Sequence, residues 1–213
     1  MEILNLNQRR KLDETDDFEF YSSPKFVYHL DSNFRNYLTK LYKEELSNNS
    51  TILDLMSSWD SYLPKDYKFK KVIGHGLNKD ELERNKSLDE HWLQNFNTNQ
   101  TIPLESETIN FCTMVAAWQY LQYPEKISKE ISRILAKKGK LIISFSNRAF
   151  WSKAPNIWTY STEEERLIYV RNILVANGFN EPKIIKKFTS KSYSFIPFLN
   201  NDPFYCVIAE RSN

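Results

Sequence analysis

Apolar positions fall into short, nearly continuous runs separated by longer amphipathic stretches. Residues 1 to 20 are polar, acid-rich toward their end, and predict a flexible, loosely held N-terminal arm. Phe34, Tyr37, Leu38, Leu41, Tyr42 and Leu46 then recur at helical spacing, with Asp31 or Ser32 as cap and SNNS as the stop. ILDL at 52–55 reads as a buried strand, FKKVI at 69–73 as a second, HWLQNF at 91–96 as a weaker third and TINFCTMV at 108–115 as a fourth. PEKISKEISRILAKKGK at 124–140 is an amphipathic helix whose apolar side carries Ile127, Ile131, Ile134 and Leu135, stopping before Gly139. LIISFS at 141–146 is apolar nearly throughout, as a strand covered on both faces requires. A second helix over 163–179 ends near Gly178, and PKIIKKFT and DPFYCVIAER at 182–189 and 202–211 supply two last strands. This alternation is the rhythm of an open α/β sheet with an antiparallel finish, in one domain over 21–213 that includes the helix before the sheet.

Composition narrows the function classes. The 213 residues carry 29 Lys plus Arg against 27 Asp plus Glu, a formal +2 that gives no general case for a polyanionic partner. Local basic residues, Arg148, Lys153, Lys183, Lys186, Lys187 and Lys191, keep a nucleic-acid surface as a minor alternative. No run approaches the roughly 20 apolar residues that span a bilayer, so the expectation is a soluble, cytoplasmic protein with no membrane partner. Cys112 and Cys206 lie in apolar runs, where buried thiols are the ordinary reading. Three scattered histidines and two distant cysteines give no metal-ligand spacing, and GxxxxGK[ST], GxGxxG and GxSxG are all absent.

In an open α/β sheet, ligands sit at the carboxyl ends of the strands. After ILDL that edge carries Met56, Ser57, Ser58, Trp59, Asp60 and Ser61, either a ligand loop or a packed loop with capping serines. GHG at 74–76 predicts a tight bend after the second strand, with His75 either structural or a ligand contact and proton acceptor. Trp118, Tyr120 and Tyr123 follow the fourth strand and either meet a flat ligand or cover the sheet edge. Asn147, Arg148, Trp151, Lys153 and Trp158, after the fifth, either roof a pocket and contact its substrate or pack a surface loop.

With ILDLMSSWDSYLP, VIGHGLNKDEL, LDEHWLQNFNTNQTIPLESETINFCTMVAAWQYLQYP and LIISFSNRAFWSKA in view, the chain resembles the class I S-adenosylmethionine-dependent methyltransferase superfamily. It is most similar to a divergent set in cyanobacteria and plants that carries DLMSSW in place of the acidic, glycine-rich first motif. The resemblance implies a three-layer, Rossmann-like, seven-stranded mixed sheet in the order 3-2-1-4-5-7-6, with the last strand antiparallel. It implies S-adenosyl-L-methionine as cofactor, with Asp54, Met56, Ser57, Ser58 and Trp59 bent around its methionine part. Gly76 matches the position of the usual ribose-binding acid, leaving that role to backbone groups, His75 or Asn78. Asn95 matches the adenine-facing acid, Phe96 flanks the base, and the segment from Ala116 through Trp118 to Tyr120 lies where cofactor and substrate meet. The Asn/Asp-Pro-Pro-Tyr pattern of amino-group methylation is missing there. If the acceptor must lose a proton, His75 is the expected base on pKa grounds. The expected function is methyl transfer to a small-molecule acceptor, with a homodimer left open. The alternatives are a non-catalytic ligand-binding or interaction protein on the same scaffold, and a nucleic-acid methyltransferase.

Overall fold

A computed structural model describes residues 3–188 and 202–212. Its elements run α1 (Leu6–Arg9), α2 (Asp17–Phe20), α3 (Ser32–Glu45), β1 (Thr51–Asp54), β2 (Lys71–Gly76), α4 (Lys79–Arg84), β3 (Glu90–Leu93), β4 (Ile109–Val115), α5 (Pro124–Ile134), β5 (Leu135–Phe145), α6 (Asn156–Thr159), α7 (Glu163–Ala176), β6 (Lys183–Lys187) and β7 (Phe204–Glu210). The seven strands form one sheet in the order 3-2-1-4-5-7-6. The first five are parallel, and β7 runs antiparallel between β5 and β6.

Period-two alternation sends each strand's side chains to two cores. Leu141, Ile143 and Phe145 of β5, with Tyr205, Val207 and Ala209 of β7, meet α5 and α7. Ile142, Phe204, Cys206 and Ile208 point the other way, onto Phe34, Leu38, Leu41 and Tyr42 of α3. Asp31 caps α3 by accepting from the Phe34 N–H at 2.8 Å. The two buried cysteines lie on opposite faces of the sheet and are free.

Three expectations are corrected. The helix expected over 124–140 ends at Ile134, because Leu135 already pairs with Ile109 in the sheet and Lys138 adopts a left-handed φ of 62°. GHG is not a bend after β2 but its last three residues. Smallness there serves close approach: a Cβ on Gly76 would stand 2.7 Å from the Ser57 carbonyl oxygen. The arm expected to be loose is docked. Arg9, 5% exposed, donates from both terminal guanidinium nitrogens to Glu125 at 2.9 and 3.1 Å, and Glu125 also accepts the Ile3 and Leu4 N–H groups at 2.8 Å. Lys11 pairs with Asp17 at 2.8 Å, and buried Lys153 binds Thr15 and Asp13.

Candidate active site

The chain turns one way from β1 into β2 and the other way from β4 into β5, so a crevice opens between the ends of β1 and β4. At both ends a non-glycine residue takes the left-handed region, Met56 at φ 53° and Ala116 at φ 49°. A cavity of about 660 Å³ lies there, within the range of small-molecule and cofactor sites.

Asp54 ends β1 and is 2% exposed. Its carboxylate accepts from the Ser57 hydroxyl at 2.5 Å and the Thr113 hydroxyl at 2.9 Å, and burial pushes its pKa up to about 6 against those bonds. Asn85 holds the Ser58 carbonyl and the Ser61 hydroxyl at 2.9 and 2.8 Å. The serines after β1 are therefore fastened by polar side chains on both sides, which shapes the loop without glycine.

His75 joins this loop to β3. Its Nδ1 accepts from the Met56 N–H at 3.1 Å, so Nε2 carries the proton and donates to the Gln94 carbonyl at 2.8 Å. Phe96 stacks on the ring at 3.9 Å between centroids. Burial drives the imidazole's pKa down to about 4. With both nitrogens engaged and the ring buried, His75 is a neutral clamp, and its expected role as base is withdrawn.

The other expected contacts divide. Met56, Ser57, Ser58, Trp59, Gly76 and Asn78 line the cavity from the ends of β1 and β2. Asn95 and Phe96 line it from β3, Ala116 and Tyr120 from β4, and Asn147, Arg148 and Trp151 from β5. Two expected contacts are corrected. Trp118 is 1% exposed and turned into the core under α5, and Trp158 is buried edge-on to Phe145 at 5.0 Å. The helices packed on that face of the sheet cover both rings, so neither reaches the cavity.

Some lining groups already have partners from residues 16–28. Asn78 donates to the Tyr21 and Ser22 carbonyls at 2.8 and 3.1 Å, Asn95 to Asp16 at 3.2 Å, and the Trp59 indole to the Val27 carbonyl at 3.3 Å. Arg148 is paired with Asp202 at 2.6 Å.

Glu81, on the first turn of α4, was not anticipated. It is 7% exposed, lines the cavity, and accepts the Lys25 N–H at 2.6 Å and the Ser58 hydroxyl. Asn78 followed three residues later by Glu81 resembles a reciprocal helix cap, a signal that hides the site role. Asn78 does cap α4, but Glu81 reaches into the crevice instead of back to its cap. Among the described residues neither Asp54 nor Glu81 has a cation within ion-pair distance, so both carboxylates present uncompensated negative charge to the cavity.

The Asp54 shift carries a stability consequence. Between about pH 4 and 6 the folded chain holds a proton that the unfolded chain has lost, so stability falls as pH rises through that window and stays lowered above it. Asp54→Asn is expected to gain about 1–3 kcal/mol near pH 7.5 in urea unfolding and almost nothing near pH 3.5. An equal change at both pH values would contradict this assignment.

A methyltransferase-domain family model matches residues 59–143, less than half of the chain, and starts at Trp59, within the loop after β1. No curated protein matches. Among solved structures, an S-adenosylmethionine-dependent methyltransferase from Mesorhizobium loti superposes with a TM-score of 0.56 at 13% identity, covering 81% of this chain and 96% of that one. Phosphoethanolamine N-methyltransferase 2 from Haemonchus contortus, in complex with S-adenosyl-L-methionine, gives 0.61 at 12%, covering 92% of this chain and 56% of that one. Geranyl diphosphate C-methyltransferase from Streptomyces coelicolor, with S-adenosyl-L-homocysteine bound, gives 0.58 at 11%, covering 84% and 81%. At these identities the likeness establishes that the chain has the Rossmann-like methyltransferase fold.

Proposed function

We propose that the protein is an S-adenosylmethionine-dependent methyltransferase acting on a small molecule. The observation that carries the reading is the pair of uncompensated carboxylates, Asp54 and Glu81, in a cavity at the β1/β4 switch point. A sulfonium and an α-ammonium are the positive groups such a site suits. The residues fit the cofactor: Gly76 lets the Ser57 carbonyl pack directly against β2 and so shapes the crevice, Phe96 offers an apolar edge, and the Met56–Trp59 turn is rigidly fastened. The bound cofactor supplies an activated methyl group. The chain's own part is to hold it, exclude water and align the acceptor, which is most of what such a transfer needs.

Calorimetric titration tests the reading. One saturable site for S-adenosyl-L-homocysteine is expected, and Glu81→Gln should weaken S-adenosyl-L-methionine, with its extra positive charge, more than S-adenosyl-L-homocysteine. Absence of binding by the folded protein at millimolar ligand would overturn it.

The bonds that residues 16–27 place on Asn78, Asn95 and Trp59 favour the second reading, a ligand-binding protein without catalysis. Binding without transfer to any acceptor separates the two. The basic side chains that suggested nucleic acid are largely committed: Lys153, Lys183 and Lys186 pair with Asp13, Glu45 and Glu164, Arg148 pairs with Asp202, and Lys191 lies outside the described residues.

A further inference from the structure

The ring of Phe150 is the hub of an aromatic group that closes the cavity on the side of the β4 and β5 ends. Phe20, His29, Tyr120 and Tyr21 surround it at centroid distances of 5.3, 5.4, 6.2 and 6.4 Å. Except for Phe20, all of these rings line the cavity. The cations that line it are committed elsewhere. Lys153 and Arg148 are ion-paired, and Lys25 lies over the Phe20 and Tyr21 rings and on backbone carbonyls. Among the described residues, a carboxylate or phosphate ligand would meet here only cations already held by carboxylates or, for Lys25, by carbonyls and rings.

Neutral hydrogen-bonding groups are available instead. Burial holds the Tyr21 phenol protonated and pushes the Tyr120 pKa up to about 12; the Tyr120 oxygen accepts from the Phe150 N–H at 3.0 Å, leaving its proton to donate. Gln119 also borders the cavity. Its amide perturbs the Tyr120 phenol, yet neither end meets a partner in hydrogen-bond geometry, although the residue is 1% exposed. Unlike His75, His29 is exposed, and among the described residues no group hydrogen-bonds either of its ring nitrogens. The charged groups that face it are Glu81 from α4, Lys25 from its own segment and Arg148 from the loop after β5. Burial outweighs Glu81 and keeps the ring neutral at neutral pH.

We propose that His29 receives the proton of an uncharged aromatic hydroxyl compound seated against Phe150, Tyr120 and Gln119, and that such a compound is the methyl acceptor. This rests on the methyltransferase reading. An amine nucleophile attacks through a free lone pair, whereas a phenol needs a base, and a neutral imidazole whose nitrogens have no hydrogen-bond partner among the described residues is that base. The hydroxyl oxygen forms the bond to the donated methyl carbon, the carbon–sulfur electron pair stays on sulfur, and the phenolic proton passes to His29 and on to water.

The test uses 2-naphthol, its methyl ether and 2-naphthoate, titrated calorimetrically into protein with and without saturating S-adenosyl-L-homocysteine. Naphthol is expected to bind at least about tenfold more tightly than the ether or the carboxylate at neutral pH, and to lose that margin on acidification as His29 protonates. His29→Phe should erase the preference over the ether, and His29→Gln should retain part of it without the pH dependence. Gln119→Leu should weaken naphthol while raising the melting temperature, because it removes an unpaired buried amide. Equal binding of naphthol and ether, tighter binding of the carboxylate, or an unaltered pH profile in His29→Gln would overturn the proposal. A failure of S-adenosyl-L-homocysteine to bind alone sinks the cofactor reading instead, and the naphthol arm measured without it reports on His29 separately.

Discussion

Arg9→Ala should lower the melting temperature by about 6–20 °C, reflecting a loss of about 3–5 kcal/mol. The size follows from what the substitution leaves behind. Glu125 is 4% exposed, and burial alone would raise its pKa, but the Arg9 bonds and the Leu4 and Ile3 N–H groups hold it below the ordinary range. Without the guanidinium the carboxylate is a buried charge lacking its counterion. An exposed pair such as Lys186 with Glu164 is a useful contrast, since its removal should cost no more than about 0.5 kcal/mol. The consequence reaches the cavity, because the docked segment continues to Asp16 and Asp17, which receive Asn95 and Asn97. A melting temperature within about 2 °C of the wild type would mean that the N-terminal segment is as loosely held as its polar sequence suggests.

Gly76→Ala should weaken S-adenosyl-L-homocysteine at least tenfold, about 1.4 kcal/mol or more. The added methyl meets a backbone carbonyl, that of Ser57, at 2.7 Å. That carbonyl cannot swing aside like a side chain, because the Ser57 N–H is bonded to the His75 carbonyl at 2.7 Å and its hydroxyl to Asp54. The strain therefore moves the whole turn from Met56 to Trp59. Gly74→Ala is the control: its methyl would lie on the same face of β2 as that of Gly76→Ala but two residues earlier, against the end of the Leu88 side chain and not the Ser57 turn, so it should cost stability with little effect on affinity. Comparable losses of affinity in both variants would show that the crevice beside Ser57 is not where the ligand lies.

The sheet was legible because its strands are short apolar runs with polar punctuation, and the structure follows them to within a few residues at most boundaries. The Leu135–Lys140 stretch was misread because its apolar and basic residues continue the helical period of α5, while pairing of Leu135 with Ile109 is a long-range contact that no local period reports. The loop after β1 was placed correctly at the cavity by its position past a buried strand. The burial of Trp118 and Trp158 was not legible, since an aromatic next to a strand end serves a core or a cavity equally well until the neighbouring helix is placed. His75 and His29 make the same point in chemical terms. The flanking glycines drew attention to the first, but a backbone N–H and a carbonyl from two other segments occupy its nitrogens. His29 lies in PKFVYHLD at 24–31, a stretch that resembles the pre-sheet element of the divergent set but carries no catalytic pattern, and only the fold sets its ring beside Phe150.

The most direct measurement of cofactor binding between β1 and β4 uses the methionines. The chain has three: Met1, Met56 lining the crevice, and Met114 buried in the core. With the methyl groups carbon-13 labelled, titration of S-adenosyl-L-homocysteine should shift the Met56 resonance saturably, with one binding constant, while Met114 moves little. A Met56 signal unchanged at saturating ligand would contradict the account.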